Sequence, residues 1–461
     1  MTTSSFVSLV APQLLEAAAD LRGPAVIAVG LPPLIAQRLA DEGLPALRRR
    51  ATVVWERPDQ GIALFGFGRA VAIRGHRDSP IDEAAAAIRR IADRARLIDV
   101  PPGARPRFFG GGRFAPGGRV HDAAWDAFGG WAFIIPRLLL AITPDGPTAT
   151  FTHHFGPATG DDPDAILDAV LATALAGRAT TLPSLPGHAT AVDRTAWETM
   201  VEAALDRIAG DHHRKIVLAR CAIATGNEPF DVGRALSRLA ERYGSCFVFA
   251  LRDKAGTWLG ASPELLCSLN GGAVQAASLA GSKPRGRDDA TDRQLARDLW
   301  ESEKERTEHA LVASAISEAL GPLCDDLVVP ETPMIMRMAN IQHLYTPITG
   351  RLHDALDVMD VVQALHPTPA VGGWPKADAL EAIEAIEHMD RGWYAGPIGW
   401  ADLQGDGEFA VALRVALVGG REARLYAGAG IVAGSEPPVE YAETETKLCP
   451  LRDALGVEPG P

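Results

Sequence analysis

Two acidic runs in this chain share one spacing. In "LWESEKERTEHALVASAISEAL", Leu299 to Leu320, Glu305 and Glu308 stand three residues apart. In "EPPVEYAETETK", Glu436 to Lys447, Glu440 and Glu443 repeat that spacing and Lys447 follows four residues on. Residues three or four apart are neighbours on a helix surface. Glu308 shares its face with Val312 and Ala315, and the second trio adjoins a stripe of Thr444, Leu448, Leu451 and Leu455. Such a run is ordinarily a solvated helix face. A carboxylate turned inward must instead be paired, protonated or bound to a metal, because a bare buried charge is too costly. Two helices each turning a pair inward would form an all-oxygen site suited to Mg²⁺, which takes one or two protein carboxylates and fills its shell with water and substrate oxygens. Spacing alone leaves both readings open.

Three further side chains can do chemistry. "HHRKIVLAR" alternates as a strand, with Ile216 and Leu218 on one face and Lys215, Val217 and Ala219 on the other. A lysine on a partly apolar face can lose its proton to desolvation and act as a base, or it can snorkel to water. "GASPELL" puts Glu264 after Pro263 at the mouth of a strand, a place for a general acid or for an ordinary loop carboxylate. "FAVALRVALV" reads as one strand with Val411, Leu413, Val415 and Leu417 on its apolar face and Arg414 among Ala410, Ala412 and Ala416. Small neighbours leave room for a ligand carboxylate in the arginine fork; the alternative is a surface arginine.

The elements that must hold these groups are strands and helices in mixed order. "ATVVWERPDQGIALFGFGRAVAIRG" reads as two strands around a turn at Pro58–Gly61, and "GGWAFIIPRLLLAI" as an apolar strand region. Hairpin turns are expected at Asp253–Gly256, Asn270–Gly272, Gln404–Gly407 and Gly419–Gly420. Helical patterns cover "IDEAAAAIRRIADRARL", residues 291–320 and residues 376–389, and "MTTSSFVSLVAPQLLEAAADLRG" reads as a short polar start followed by an amphipathic helix. A loop is expected over "TTLPSLPGHATAVDR", followed by a helix whose capping box is Thr195 and Glu198. Many antiparallel hairpins with helices give an α+β fold, not a doubly wound parallel sheet. A sequence boundary falls near residue 190. "GFG" at Gly66 to Gly68 lacks the context of a dinucleotide fingerprint.

Composition narrows the function. The chain has 461 residues, 47% hydrophobic, and a formal net charge of −13, so it repels nucleic acid unless a local basic stripe intervenes. Only "RRR" at Arg48 to Arg50 qualifies, and it reads as a helix end. No apolar run is long enough for a membrane span, and no basic-then-apolar leader opens the chain. Five scattered cysteines without a CxxC fit a reducing cytoplasm and no disulfide framework. An anionic substrate would need buried cations or a metal to reverse the local field.

"KIVLAR", "GASPELL", "LAGSKPRG", "EKERTEHALV", "IQHLYTPITG", "LHPTPAVGGWPK", "RGWYAGPIGW" and "YAGAGIVAGSEPPVEYAETETK" occur in that order. Together they resemble the chorismate-binding enzyme family, most closely its isochorismate synthases, over roughly residues 193–457. The resemblance implies a single large domain of antiparallel sheets flanked by helices. Residues 1–190 would be the family's variable N-terminal part and 191–461 the catalytic region. It implies chorismate as substrate and Mg²⁺ as cofactor, with water attacking ring carbon C2 while the C4 hydroxyl leaves. Lys215 matches the base that activates the water, and Glu264 the acid that protonates the leaving hydroxyl. Glu308 and Glu443 match the metal ligands, with Glu305 and Glu440 in support. The ring carboxylate would meet the metal and the backbone of Ala280, Gly281 and Ser282. The enolpyruvyl carboxylate would meet Tyr394, Arg414 and Gly428, with Lys447 nearby; His343 and Ala370 would line the ring. Glu436 and Glu445 keep the surface reading.

Relatives in the family differ in nucleophile. Aminodeoxychorismate synthases commonly carry a lysine where this chain has Ala280, so the resemblance points to water. The loop "LHPTPAVGGWPK" departs from the anthranilate synthase pattern, and no glutaminase-like region or partner is expected. Ser282 keeps the hydroxyl of the threonine common in relatives. Two readings stand behind isochorismate synthase: a salicylate synthase, which eliminates pyruvate afterwards, and a catalytically silent chorismate-binding subunit. A product feeding menaquinone or siderophore synthesis fits equally, and a monomer is the default.

Overall fold

The computed structural model of the protein describes residues 3–19, 23–156, 162–176, 187–189, 194–210, 213–338 and 341–458. Among them, two large and mostly antiparallel sheets of 14 and 10 strands stack with helices outside, the expected α+β architecture. Alternation along Phe247–Asp253 shows how the layers divide. Phe247, Phe249 and Leu251 enter the core between the sheets, while Val248 and Ala250 enter a second core beneath the helices. That outer core is closed by Leu236 and Leu239 of the Val232–Arg242 helix and by Leu448 and Leu451 of the Pro437–Leu455 helix. No helix among the described residues is long and apolar enough to cross a membrane.

All four expected hairpins form, and the Pro58–Gly61 turn closes as a single 3₁₀ turn with Gly61 at φ +66°, where glycine is favoured. The larger sheet runs from both sides of residue 190: Val53–Arg57 pairs with Phe247–Asp253, and Gly187–Ala189 pairs with Lys215–Thr225. The rest of the loop expected over "TTLPSLPGHATAVDR" lies outside the described residues, apart from Arg194.

Several expectations need correction. "FAVALRVALV" is not one strand: Gly407–Val411 belongs to the smaller sheet and Val415–Gly419 to the larger. The chain changes sheets through Ala412–Arg414, with Arg414 at φ +52°. "GGWAFIIPRLLLAI" likewise splits at Pro136 into Trp131–Ile135 and Leu138–Thr143, one strand in each sheet; proline has no N–H to continue a ladder. The 291–320 pattern is two helices, Asp289–Glu301 and Glu303–Leu320, because Ser302 turns extended and accepts the Glu305 N–H at 3.3 Å as an N-cap. The helix expected to cap at Thr195 starts one residue earlier, and Glu198 takes the Arg194 guanidinium at 2.7 Å instead. The other helices end early, at Ala92 and Ile386.

Two crossings between the sheets lie side by side. One is Pro263–Glu264, between the strands Gly256–Ser262 and Leu265–Asn270; the other is Ala412–Arg414. They are tied by Val411 N–H to Glu264 O at 3.0 Å, Ala261 N–H to Arg414 O at 3.1 Å, and the Ser262 hydroxyl to Val411 O.

Candidate active site

A cavity of about 160 Å³ opens where these crossings meet the Lys215 strand and two helices. Its wall holds Lys215, Glu264, Ala280, Gly281, Ser282, Glu305, Glu308, His343, Ala370, Arg414, Glu440, Glu443 and Lys447. Of the residues singled out from sequence, only Tyr394 and Gly428 stand behind the wall. The Gly428 carbonyl accepts Lys447 Nζ at 2.9 Å, and a Cβ on Gly428 would lie 3.0 Å from the Tyr394 hydroxyl. Tyr394 is stacked on Tyr426 with ring centroids 5.5 Å apart.

Lys215 opens its strand and does not snorkel: it is 3% exposed, and Nζ donates to Glu308 Oε1 at 2.7 Å. Its stem lies across Gly430 on the paired strand, where a Cβ would come within 2.8 Å of Lys215 Cε. Gly430 was missed from sequence, although "GAGI" puts Gly428 and Gly430 on one strand face. Lys304 and Leu413 also line the cavity and were not foreseen.

Glu264 is buried, and burial pushes its carboxyl up to about 7 against the pull of Lys215, Arg414 and Lys447. It is therefore able to hold a proton near neutrality. Burial pulls Arg414 below its ordinary value, partly restored by Tyr394, Glu443 and Glu264 among its neighbours. "AGS" forms a β-bulge: Ala280 faces Leu344, Ser282 faces His343, and Gly281 at φ +76° is the extra residue. The bulge turns Ser282 N–H to Glu305 Oε2 at 3.2 Å and sets the Ser282 hydroxyl 2.8 Å from His343 Nδ1. Burial, with Arg414 and Lys447, lowers His343 to about 3, so the ring is neutral. Its buried Nε2 has no hydrogen-bond partner among the described residues.

In the second acidic run Glu440 is buried, Glu443 reaches the cavity with its side chain 43% exposed, and Glu445 departs from expectation. Burial pushes Glu308 up, but Lys215 outweighs it and holds the carboxyl below its usual range. Lys447, 2.5 Å away, pulls Glu443 down. Glu305 and Glu440 are raised, first by burial and then by Glu308 and Glu443 respectively, with Ser435 partly offsetting the rise at Glu440. Four carboxylates on one cavity thus crowd each other with negative charge. Their donors are all oxygen, which fits a hard cation such as Mg²⁺. Among the described residues, no three acidic, histidine or cysteine side chains converge closely enough to hold an ion as they stand. The exception is Glu445, which is no free surface group. It bridges Arg220 and Arg452 with a side chain 32% exposed. Glu436 is exposed, as expected.

Beyond Lys215, Lys304 and Glu308, the cavity adjoins an outer chamber of about 760 Å³ lined also by Arg214, Leu311 and Trp374.

Fold and cavity define an enzyme that sets a buried amine and a carboxyl raised to about 7 beside an arginine, a lysine and a carboxylate cluster. The chorismate binding enzyme family profile matches residues 43–456, and the chain belongs to that family. Its relatives include isochorismate synthase MenF of Bacillus subtilis, 38% identical over 77% of this chain and 75% of that one. The salicylate biosynthesis isochorismate synthase of Pseudomonas aeruginosa is 37% identical over 88% and 85% of the two chains. The solved structure of the menaquinone-specific isochorismate synthase of Escherichia coli superposes with a TM-score of 0.76 at 27% identity, covering 97% of this chain and all of that one.

Proposed function

We propose that the protein is an isochorismate synthase that converts chorismate to isochorismate. The observation that carries this reading is the pairing, on one cavity, of buried Lys215 with a Glu264 whose carboxyl is held near 7. Isomerisation needs a base for the incoming water and an acid for the departing hydroxyl at the same pH. Lys215, as the base, takes a proton from water as its oxygen bonds to C2. The ring double bonds shift, the C4–O bond breaks, and Glu264 gives its proton to the leaving hydroxyl, which departs as water. One water enters and one leaves, so the product is an isomer.

Arg414 and Lys447 face the cavity as the cations for the enolpyruvyl carboxylate, with Tyr394 and the Gly428 backbone behind them. The neutral His343 ring and Ala370 would bound the substrate ring, and backbone groups around Gly281 would meet the ring carboxylate, the Ser282 N–H being held by Glu305. Glu308 and Glu443 would hold Mg²⁺, with Glu305 and Glu440 supporting its waters. Bound there, Mg²⁺ would neutralise the acidic cluster and attract the ring carboxylate. Ala280 offers no amine for a covalent adduct, which supports water as nucleophile. A cytoplasmic, monomeric enzyme working without a glutaminase belongs to the same reading.

The test is purified protein with chorismate and Mg²⁺, its products separated by chromatography. Isochorismate without pyruvate is expected. Salicylate with stoichiometric pyruvate would replace the reading with a salicylate synthase, and no turnover with water or ammonia would make the chain a silent binding subunit.

A further inference from the structure

The correction at Glu445 leads to a second assignment on the same helix. Arg220 lies five residues along the strand from Lys215 and is 2% exposed. Its Nε donates to Thr444 Oγ1 at 2.7 Å, and its Nη2 donates to the Glu445 carboxylate. The guanidinium sits over the Tyr441 ring at 4.5 Å. Arg452, buried two turns further along, donates to the other Glu445 oxygen at 2.6 Å. One strand side chain therefore touches three residues of the Pro437–Leu455 helix: Tyr441, Thr444 and Glu445.

These contacts fall where they fix rotation. Helical residues advance about 100° each, so Thr444 and Glu445 stand roughly 100° and 200° round the axis from Glu443. Glu440 and Lys447 stay within about 60° of it, on the cavity side. A helix gripped on that flank cannot roll without breaking the planar arginine fork. Elsewhere the helix packs through apolar side chains, Leu448 and Leu451 among them, which resist separation better than rotation, and is tied by Lys447 Nζ to the Gly428 carbonyl and by Arg238 to the Asp453 and Ala454 carbonyls.

We propose that Arg220 is a positioning residue that sets the rotation of the Pro437–Leu455 helix and so the aim of Glu440, Glu443 and Lys447 into the cavity. The assignment rests on the reading of Glu443 as a cation ligand, and its test separates the two. Outer partners that orient metal ligands typically alter affinity roughly 10–100-fold when removed. Full-length wild type, Arg220→Gln, Arg220→Lys, Glu445→Gln and Glu443→Gln are compared in two measurements without substrate. The first is calorimetric titration with Mg²⁺; the second is hydrogen exchange of residues 437–447 in the metal-free protein.

Arg220→Gln is expected to weaken Mg²⁺ binding by about tenfold or more and to speed exchange in that segment. Lysine does not restore either value, because an ammonium cannot span Thr444 and Glu445 as the fork does. Glu445→Gln, at a half-buried position that tolerates the change, shifts both in the same direction by less. Wild-type exchange in both Arg220→Gln and Glu445→Gln overturns the proposal whatever the metal does. Faster exchange with unchanged Mg²⁺ affinity, while Glu443→Gln loses affinity, reduces Arg220 to a stabilising contact and also overturns it. Unchanged Mg²⁺ affinity in Glu443→Gln refutes the metal reading instead.

Discussion

Glu264→Gln removes one proton site and nothing of its shape, so it isolates what burial does to this carboxyl. Burial raises the group from 4.5 to about 7 in the folded protein. A general acid must start protonated, so kcat/KM in the wild type should fall about tenfold per pH unit above neutrality. Glutamine cannot donate that proton, and a positioned acid typically contributes about 10²–10⁴ in rate. The variant should lose that factor in kcat, keep most of its chorismate affinity, and show no alkaline limb near 7. Stability supplies an independent check. The folded state binds this proton more tightly than the unfolded chain, so the stabilising effect of protonation is complete below 4.5 and lost as pH rises to about 7. At about 1.36 kcal/mol per unit, the loss is about 3 kcal/mol, level thereafter. Urea unfolding of wild type and variant through this pH range should therefore diverge by that amount, the variant becoming relatively more stable at higher pH. Parallel stability curves, or an alkaline limb that survives in Glu264→Gln, would refute the placement of a protonated acid at this site.

Three further substitutions test other walls of the cavity. Lys215→Ala should abolish isochorismate formation while leaving Mg²⁺-dependent chorismate binding nearly intact, measured by calorimetry; a wild-type rate would remove Lys215 as the base. Gly430→Ala puts a methyl group 2.8 Å from Lys215 Cε. It should cut kcat with little change in melting temperature, and an unaltered kcat would mean that the lysine's path does not matter. Arg414→Lys loses the two-point grip on a carboxylate, about 1.5–3 kcal/mol for a charged hydrogen bond, so KM for chorismate should rise at least tenfold. An unchanged KM would place the substrate carboxylate elsewhere.

Much of the site was legible because its groups lie in short motifs with fixed spacing. The i, i+3 glutamates and Lys447 shared a helical face on paper and share the cavity in the structure. Hairpin turns were marked by glycine and aspartate at the tips. What spacing could not supply was which face of each helix turns inward, and that came from the order of the motifs. Glu445 escaped for a related reason: its partners, Arg220 and Arg452, are a distant strand residue and a residue two turns on, invisible to local charge patterning.

The larger failure, at "FAVALRVALV", has a single physical cause with the site itself. Alternation reports that a segment is extended and half-buried, but not which sheet pairs with it. Across Ala412–Arg414 the chain turns, with Leu413 N–H bonded to Val411 O at 2.8 Å and Arg414 at φ +52°, while the apolar alternation of the sequence runs on unbroken and the ladder partners change from Leu265–Asn270 to Gly256–Ser262. A strand that leaves one sheet before joining another gives up regular neighbours for a few residues, and its side chains are then not committed to either core. The crossing at Pro263–Glu264 does the same in the opposite direction, and the two are hydrogen-bonded to each other. Arg414 can take a left-handed φ there and Glu264 can point into a cavity, because no ladder dictates their direction. Periodicity therefore fails at the place where the fold frees side chains for chemistry.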